Sequence, residues 1–212
     1  MDNYKPTYKY IPPWGNHSLT KWYDFTVSLL GFGHRFKKRV IKHLSLKPDE
    51  TVLDIGCGPG MLLKILKDQW PSVKAIGIDP DQQSLGLARN RLKAHQVQLF
   101  QAFAESLPLP DSSVDVCVST LVFHHIPNEI KLSAIQEMKR VLKPGGRTLI
   151  IDFGPTKNFY IRAILSYENK EYLAGNFNGL IPKYLEQTGF TGIEIIDHSF
   201  PAIYYVRAKK SF

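Results

Sequence analysis

Two cysteines, Cys57 and Cys117, are all that the 212 residues contain. That is too few for a disulfide framework or a Cys-rich zinc site, and it suits a reducing compartment. No apolar run approaches the ~18 residues of a membrane-spanning helix, and the opening Met1-Asp2-Asn3-Tyr4-Lys5 lacks the apolar stretch of a secretory signal. A cytoplasmic location is expected from both. Internal repeats and low-complexity tracts are missing too, and at 43% hydrophobic and 22% charged residues the chain can bury a real core. The length fits one domain with a modest extension.

Acidic residues are scarce in one region only. Residues 1–47 hold nine Lys and Arg against Asp2 and Asp24, a balance of +7 within a net +8 for the whole chain. Tyr4, Tyr8, Tyr10, Trp14, Trp22, Tyr23, Phe25, Phe32 and Phe36 crowd the same segment. A helix is expected at 34–45, with Phe36, Val40, Ile41 and Leu44 on one face and Arg35, Lys38, Arg39 and Lys42 on the other. The segment is expected to be an aromatic, basic cap on a domain spanning 48–212. Its basic face is either simply solvated or touches an anionic surface, lipid or nucleic acid.

From residue 48 apolar runs alternate with helical periodicity. Strands are expected at 51–55, 73–78, 97–101, 114–119, 147–152, 193–197 and 202–208, and helices at 60–69, 81–94, 129–141 and 180–187, the last closed by Gly189. Buried runs separated by helices indicate βαβ units and a mostly parallel, doubly wound sheet with helices on both faces. The domain divides into a core at 48–154, a mixed insert at about 155–190 and closing strands at 191–212.

Val52 to Gly60 reads as a buried strand running into Gly56, Gly58 and Gly60 and then a helix. Glycines there let backbone N–H groups approach a ligand, at a helix end carrying partial positive charge. About 20 residues on, Asp79 ends the next strand, where an acid can hold the hydroxyls of an adenosine ribose. The bland alternative is an ordinary strand-to-helix turn with a helix-capping Asp. A dinucleotide fingerprint would need its third glycine at position 61, which is Met61, so a dinucleotide-dependent dehydrogenase is the weaker reading.

Asp54-Ile55-Gly56-Cys57-Gly58-Pro59-Gly60 resembles the first motif of the class I S-adenosylmethionine (SAM)-dependent methyltransferases. The resemblance continues through Asp79-Pro80, Ala104 to Pro108, Asp115 to Pro127 and Arg140 to Arg147, and so covers about residues 48–154. It implies a Rossmann-like α/β fold with seven strands, the last antiparallel, SAM as cofactor and S-adenosylhomocysteine as product. Carried over position by position, it implies cofactor contacts at Asp54, Gly56, Cys57, Gly58, Gly60, Asp79, Pro80, Ala104, Glu105, Ser119 and Thr120. One departure is Phe103, where relatives usually place an Asp that meets the adenine amino group; backbone groups are expected to take over, with Glu105, or a Phe103 that stacks or merely packs, as the alternatives.

His124 and His125 follow the fourth strand, where ligands sit in open α/β sheets, and one of them is a candidate general base. The alternative is that one ring packs and the other is solvated. Adjacent histidines are expected to point apart, and no acid lies at ligand spacing, so no metal is expected. Tyr23, with Asp24, resembles a substrate-side stretch of the family and is a third candidate catalytic residue; packing of an aromatic lid is its alternative.

The stretch Trp22 to Gly60, with Tyr23-Asp24, the Gly31-Phe32-Gly33-His34 turn and the basic helix, looks like that of quinone-ring C-methyltransferases and of phospholipid N-methyltransferases, which implies a small or lipid-like acceptor and peripheral contact with an anionic membrane. A soluble polar metabolite is the competing acceptor, and a non-catalytic partner subunit the competing role. Nucleic-acid amino methyltransferases carry an Asn/Asp-Pro-Pro-aromatic tetrad where this chain has Ser119-Thr120-Leu121-Val122, which argues against nucleic acid. The acceptor's identity and the oligomeric state are not encoded legibly.

Overall fold

A computed structural model describes residues 32–156, 172–199 and 202–212. The chain divides into two compact units, one ending at Phe103 and the other beginning at Ala104. The described part of the first runs α1 (His34–His43), β1 (Thr51–Ile55), α2 (Met61–Gln69), β2 (Lys74–Asp79), α3 (Gln82–Arg91) and β3 (Val97–Gln101). In it β2 pairs parallel with both β1 and β3, Leu53 facing Ile76 and Ile76 facing Gln98.

The apolar runs explain why these segments became strands. Val52, Leu53 and Ile55 of β1 and Ile76 and Ile78 of β2 are all buried, as expected of parallel strands covered on both sides. Gly77 lies between them because a Cβ there would come within 2.7 Å of Leu63 Cδ1 and Leu99 Cδ2 and 2.9 Å of Cys57 Sγ. Helix α1 buries Phe36, Val40 and Ile41 and leaves Arg35, Lys38, Arg39 and Lys42 exposed, the division its periodicity predicts.

The second unit runs β4 (Val114–Thr120), a 3-10 turn (Phe123–His125), α4 (Asn128–Val141), β5 (Leu142–Phe153), a helical stretch at 172–177, α5 (Leu180–Gln187), β6 (Phe190–Ser199) and β7 (Ile203–Lys210). Strands β4 and β5 are parallel, while β7 is antiparallel to both β5 and β6. The sheet has seven strands in the order β3-β2-β1-β4-β5-β7-β6, with helices flanking it: the Rossmann-like arrangement with an antiparallel last strand. The exposed edge positions are mainly polar, Gln98 and Gln101 on β3 and Thr191, Glu194 and His198 on β6, with Ile195 of β6 as the exposed apolar exception.

Element boundaries differ from the sequence reading in one informative place. The Leu142 to Gly146 stretch is expected as a turn before a strand at 147; instead β5 begins at Leu142. Val114 and Val116 of β4 face Leu142 and Arg147, so Pro144, Gly145 and Gly146 lie within an irregularity of the ladder. The Lys143 ammonium, 2.9 and 2.8 Å from the two Asp115 oxygens, fastens that irregularity to β4.

Candidate active site

In the first unit the site is made by backbone. Gly56 and Cys57 leave β1 by donating their N–H groups to the Ile78 carbonyl at 2.7 and 3.0 Å, which turns the loop toward the end of β2. Gly58 has φ +51°, a left-handed conformation that L side chains rarely adopt, and its N–H donates to Asp79 Oδ2 at 2.8 Å. A Cβ built on Gly58 would have no heavy atom within 4 Å, so the close side of the loop is open. Gly60, at φ +78°, starts α2, and Arg91 holds the loop from outside by donating to the Pro59 carbonyl at 2.6 Å.

Asp79 is not the helix cap. Its Oδ1 accepts from the Asp81 N–H at 2.9 Å, whereas Asp81 itself caps α3 through the Gln83 N–H at 3.0 Å and Ser84 Oγ at 2.9 Å. The bland reading therefore fits Asp81 and leaves Asp79 to brace the glycine loop. Burial lifts the Asp79 carboxyl to about 6, although the Asp81 and Gly58 N–H groups favour its anion. Asp54, also buried, is lifted by burial to about 7 against the pull of the Lys37 ammonium, with Asp79 adding to the rise. The Cys57 thiol is pushed well up by burial, so it is no thiolate nucleophile.

In the second unit the site is made by side chains. The Ala104 to Pro108 turn is fixed to α4, where Glu137 accepts the Leu107 N–H at 2.9 Å and Arg140 donates to the Leu107 carbonyl at 3.0 Å and the Leu109 carbonyl at 2.8 Å. At the carboxyl end of β4, the buried Ser119 Oγ and Thr120 Oγ1 have no hydrogen-bond partner among the described residues. Two such hydroxyls at a strand end are costly unless something polar meets them.

His124 stands opposite Asp152, the residue near the end of β5. Nδ1 lies 2.9 Å from Asp152 Oδ1, and the His124 backbone N–H is 3.3 Å from Oδ2. Oδ1 also accepts from the Phe153 N–H at 2.7 Å and from Asn176 Nδ2 at 3.1 Å. Burial opposes ionisation of Asp152, but the His124 imidazole, the Phe153 N–H and Lys131 hold its carboxyl below the usual range. A carboxylate only accepts, so Nδ1 of His124 carries the proton and Nε2 is the basic nitrogen.

His125 is different: burial, aided by His124, holds its imidazole down to about 3, and it stays neutral. The two rings do not point apart, contrary to the sequence expectation. Their centroids lie 4.0 Å apart with the ring planes tilted by 41°, although successive residues of a 3-10 turn project about 120° apart. Tyr23 lies outside the described residues, and among those described no cluster of three or more His, Cys, Asp or Glu could hold a metal.

Known proteins similar to this chain include methyltransferases. Residues 52–146 match the family model described as a methyltransferase domain. Demethylmenaquinone methyltransferase of Thermus thermophilus is 32% identical over 137 residues, 63% of this chain and 61% of that protein. The ubiquinone/menaquinone biosynthesis C-methyltransferase UbiE of Hahella chejuensis is 37% identical over 148 residues, 66% of this chain and 59% of the relative. Among solved structures, a SAM-dependent methyltransferase from Aquifex aeolicus aligns with a TM-score of 0.68 at 25% identity over 92% of this chain and 98% of its own. Residues 52–146 thus match a methyltransferase domain, and the chain is similar to class I SAM-dependent methyltransferases.

The chain spans about three fifths of the length of the curated relatives it matches. A phosphoethanolamine N-methyltransferase of Haemonchus contortus, solved with SAM, shares the fold at TM-score 0.72 and 18% identity, over 94% of this chain and 61% of that one. The glycine loop, Asp79 and the His pair are all visible in the sequence. Asp152, Asn176 and Lys131 are not; the signal that could have found Asp152 is an acid ending the buried run Leu149-Ile150-Ile151. An acid there resembles Asp79 at the end of β2.

Proposed function

We propose that this chain binds SAM and transfers its methyl group to a small acceptor that must lose a proton, with a lipophilic quinol ring as the acceptor. The observation that carries the reading is the Gly58 N–H held by Asp79 at 2.8 Å beside a loop face that a single Cβ would project into. The backbone of Gly56 to Gly60 can approach the amino-acid part of SAM, and Asp79 with Pro80 behind it can receive the ribose hydroxyls. Asp54 and Cys57 support the loop from beneath, Ala104 and Glu105 belong to the adenine, and Ser119 and Thr120 offer it unspent hydroxyls.

SAM, when bound, supplies an electrophilic methyl group. The residues of the chain do the rest. A quinone ring is electron-poor, but its reduced form bears hydroxyls, and removing one proton makes the adjacent ring carbon nucleophilic. Once that carbon holds the methyl group, its own hydrogen leaves as a proton and the oxygen is reprotonated, which restores the aromatic hydroquinone. His124 Nε2 takes that proton, and Asp152, ionised and 2.9 Å from Nδ1, offsets the imidazolium charge that results. Positioning then carries most of the acceleration, up to ~7 to 11 kcal/mol for a well-aligned pair.

The quinol comes from the relatives' names and suits the aromatic, basic segment 1–47, which we read as a cap on the acceptor side with Tyr23 in it. The exposed Arg35, Lys38, Arg39 and Lys42 of α1 suit contact with anionic lipid at the periphery of a membrane, and no helix among the described residues is long and apolar enough to cross one.

Methyl-labelled SAM incubated with reduced demethylmenaquinone, with phosphoethanolamine and with a polar-metabolite extract tests the reading. Label in the quinone fraction supports it, and label confined to the polar fraction replaces the acceptor. No transfer to any, together with no binding of S-adenosylhomocysteine, defeats it.

A further inference from the structure

Behind the His124–Asp152 pair lies a buried cation that the methyl transfer does not itself require. Lys131, in the first turn of α4, is fully buried. Its ammonium meets three acceptors: Asn176 Oδ1 at 2.7 Å, Asn128 Oδ1 at 2.8 Å and the Tyr172 carbonyl at 2.5 Å. An ammonium has three N–H donors and no acceptor, so this shell is full only when the lysine is charged. Isolated in a protein interior such a charge would be expensive, and something must reward its presence.

The reward lies one residue further on. The Asn176 amide has an oxygen that can only accept and a nitrogen that can only donate. Facing an ammonium on one side fixes the oxygen there and leaves the nitrogen for the other side, where Asp152 Oδ1 is 3.1 Å away. Asp152 then receives three donors, from Asn176, Phe153 and the His124 backbone, which favour its carboxylate, and a carboxylate at 2.9 Å makes the His124 Nδ1 the donor of the fourth bond. The row Lys131, Asn176, Asp152, His124 thus has one consistent proton arrangement, ending on an Nδ1–H and a bare Nε2.

We propose that Lys131 and Asn176 are positioning residues which, through Asp152, fix the tautomer and ring orientation of His124. The row crosses four elements: α4 provides Lys131, the 172–177 stretch Asn176, β5 Asp152 and the turn after β4 His124. None of these residues is within 20 positions of its partner in the row, so only the fold assembles it. The catalytic meaning rests on reading His124 as the base; the structural claim about the ring does not.

The sharpest test is Asn176→Asp, which keeps the shape and the acceptor for Lys131 but replaces the donor facing Asp152 by a second acceptor. Lys131→Met removes the cation, and Asn176→Ala covers the case in which Lys131→Met fails to fold. Each protein, labelled with 15N in its histidine rings and free of SAM and acceptor, would be observed by ring-nitrogen correlation spectra at pH 7, below the value of about 8 to which burial lowers the Lys131 ammonium. In the wild type His124 should show a protonated, exchange-protected Nδ1 and an unprotonated Nε2. In the variants that pattern should give way to mixed tautomers and fast exchange, with melting still cooperative. With reduced demethylmenaquinone as probe, kcat should fall about 10-fold or more while the KM for SAM holds, the size seen when groups behind a metal-bound histidine are removed.

An unchanged His124 spectrum in folded Asn176→Asp and Asn176→Ala would overturn the inference, whatever the activity. A changed spectrum in a protein that transfers no methyl group would uphold it and defeat the functional reading instead.

Discussion

The two units solve the problem of buried charge in opposite ways. In the first, the buried Asp54 and Asp79 sit near one another, and Asp79 is steadied by backbone N–H groups rather than by a cation, so burial leaves both carboxyls well above their usual range. In the second, Asp152 is as deeply buried yet lies below that range, because His124 and the more distant Lys131 offset its charge. The first unit's acids are thus poised to gain from something that donates to them. The second unit's acid is already satisfied. The proposed roles, a binding loop and a support for a base, call for these different settings.

Removing the second unit's pair should produce the largest effect of any change considered. His124→Ala and Asp152→Asn should each lower methyl transfer by roughly 10²- to 10⁴-fold while S-adenosylhomocysteine still binds, because they remove the base or its tautomer control and nothing from the first unit. Single-turnover transfer and calorimetry on the same samples separate the two readouts. His125→Gln is the control: a ring held neutral by burial should be worth far less in transfer. A loss for His125→Gln equal to that for His124→Ala would reassign the base and dissolve the contrast between the units.

Two glycines sharpen the comparison from the other side. Gly58→Val places its side chain where nothing lies within 4 Å, so the fold should survive, at the strain of a left-handed conformation, while binding of S-adenosylhomocysteine is abolished. Gly77→Val should do the reverse and fail at folding, since its Cβ alone would lie 2.7 Å from two leucine side chains. Thermal melts and calorimetry distinguish them. A Gly58→Val protein that binds normally would show that the loop's open face is not a ligand face.

How much was legible follows from what each unit is built of. A loop made by backbone leaves its mark locally: Gly56, Gly58 and Gly60 must be consecutive-but-one in sequence because one turn makes the site, and Asp79 follows from the fixed length of one strand-helix-strand repeat. Edges of strands such as 51–55 and 97–101 could be read for the same reason, from unbroken or alternating apolar runs ended by turn residues. The network of the second unit leaves no such trace. Lys131 occupies a helix position that its own periodicity would grant to any long side chain, and only the meeting of residues 28 and 45 positions apart reveals its charge to be matched. The Leu142 start of β5 was hidden because Pro144-Gly145-Gly146 spells a turn, while the Lys143–Asp115 pair keeps the chain in the ladder.

Asp79 should matter by less than the glycine. Asp79→Ala should weaken S-adenosylhomocysteine binding by about 1 to 3 kcal/mol, the worth of charge-assisted hydrogen bonds to hydroxyls. The pH dependence follows from the raised carboxyl. The anion is the acceptor, so affinity should be full above about 6 and decline as pH falls through that value. In Asp79→Asn the decline due to this group disappears. Asp54, lifted to about 7, titrates close by, and Asp54→Asn tells the two apart: the fall near 6 should persist in it. Persistence of the same fall in Asp79→Asn would move the ribose contact elsewhere.

Asp81 gives the smallest effect and the cleanest separation of capping from binding, since it stands two residues from Asp79 and does the other task. Its side chain accepts from the Gln83 N–H and from Ser84 Oγ at the start of α3, so Asp81→Ala should cost about 1 kcal/mol of stability, within a range of ~0.5 to 2, and lower the melting temperature by roughly 2 to 4 °C. The Asp81 N–H that donates to Asp79 Oδ1 is backbone and remains. Affinity for S-adenosylhomocysteine at pH 8 should therefore be unchanged. Asp81 also pushes the Asp79 carboxyl up by like charge, so without it the acid-side loss of affinity should move to lower pH and never to higher. Calorimetry at pH 5, 6 and 8 with a melt at each value checks both halves. A loss of affinity at pH 8 as large as that of Asp79→Ala would mean that the cap and the ribose acid cannot be told apart in the way the hydrogen bonds assign them.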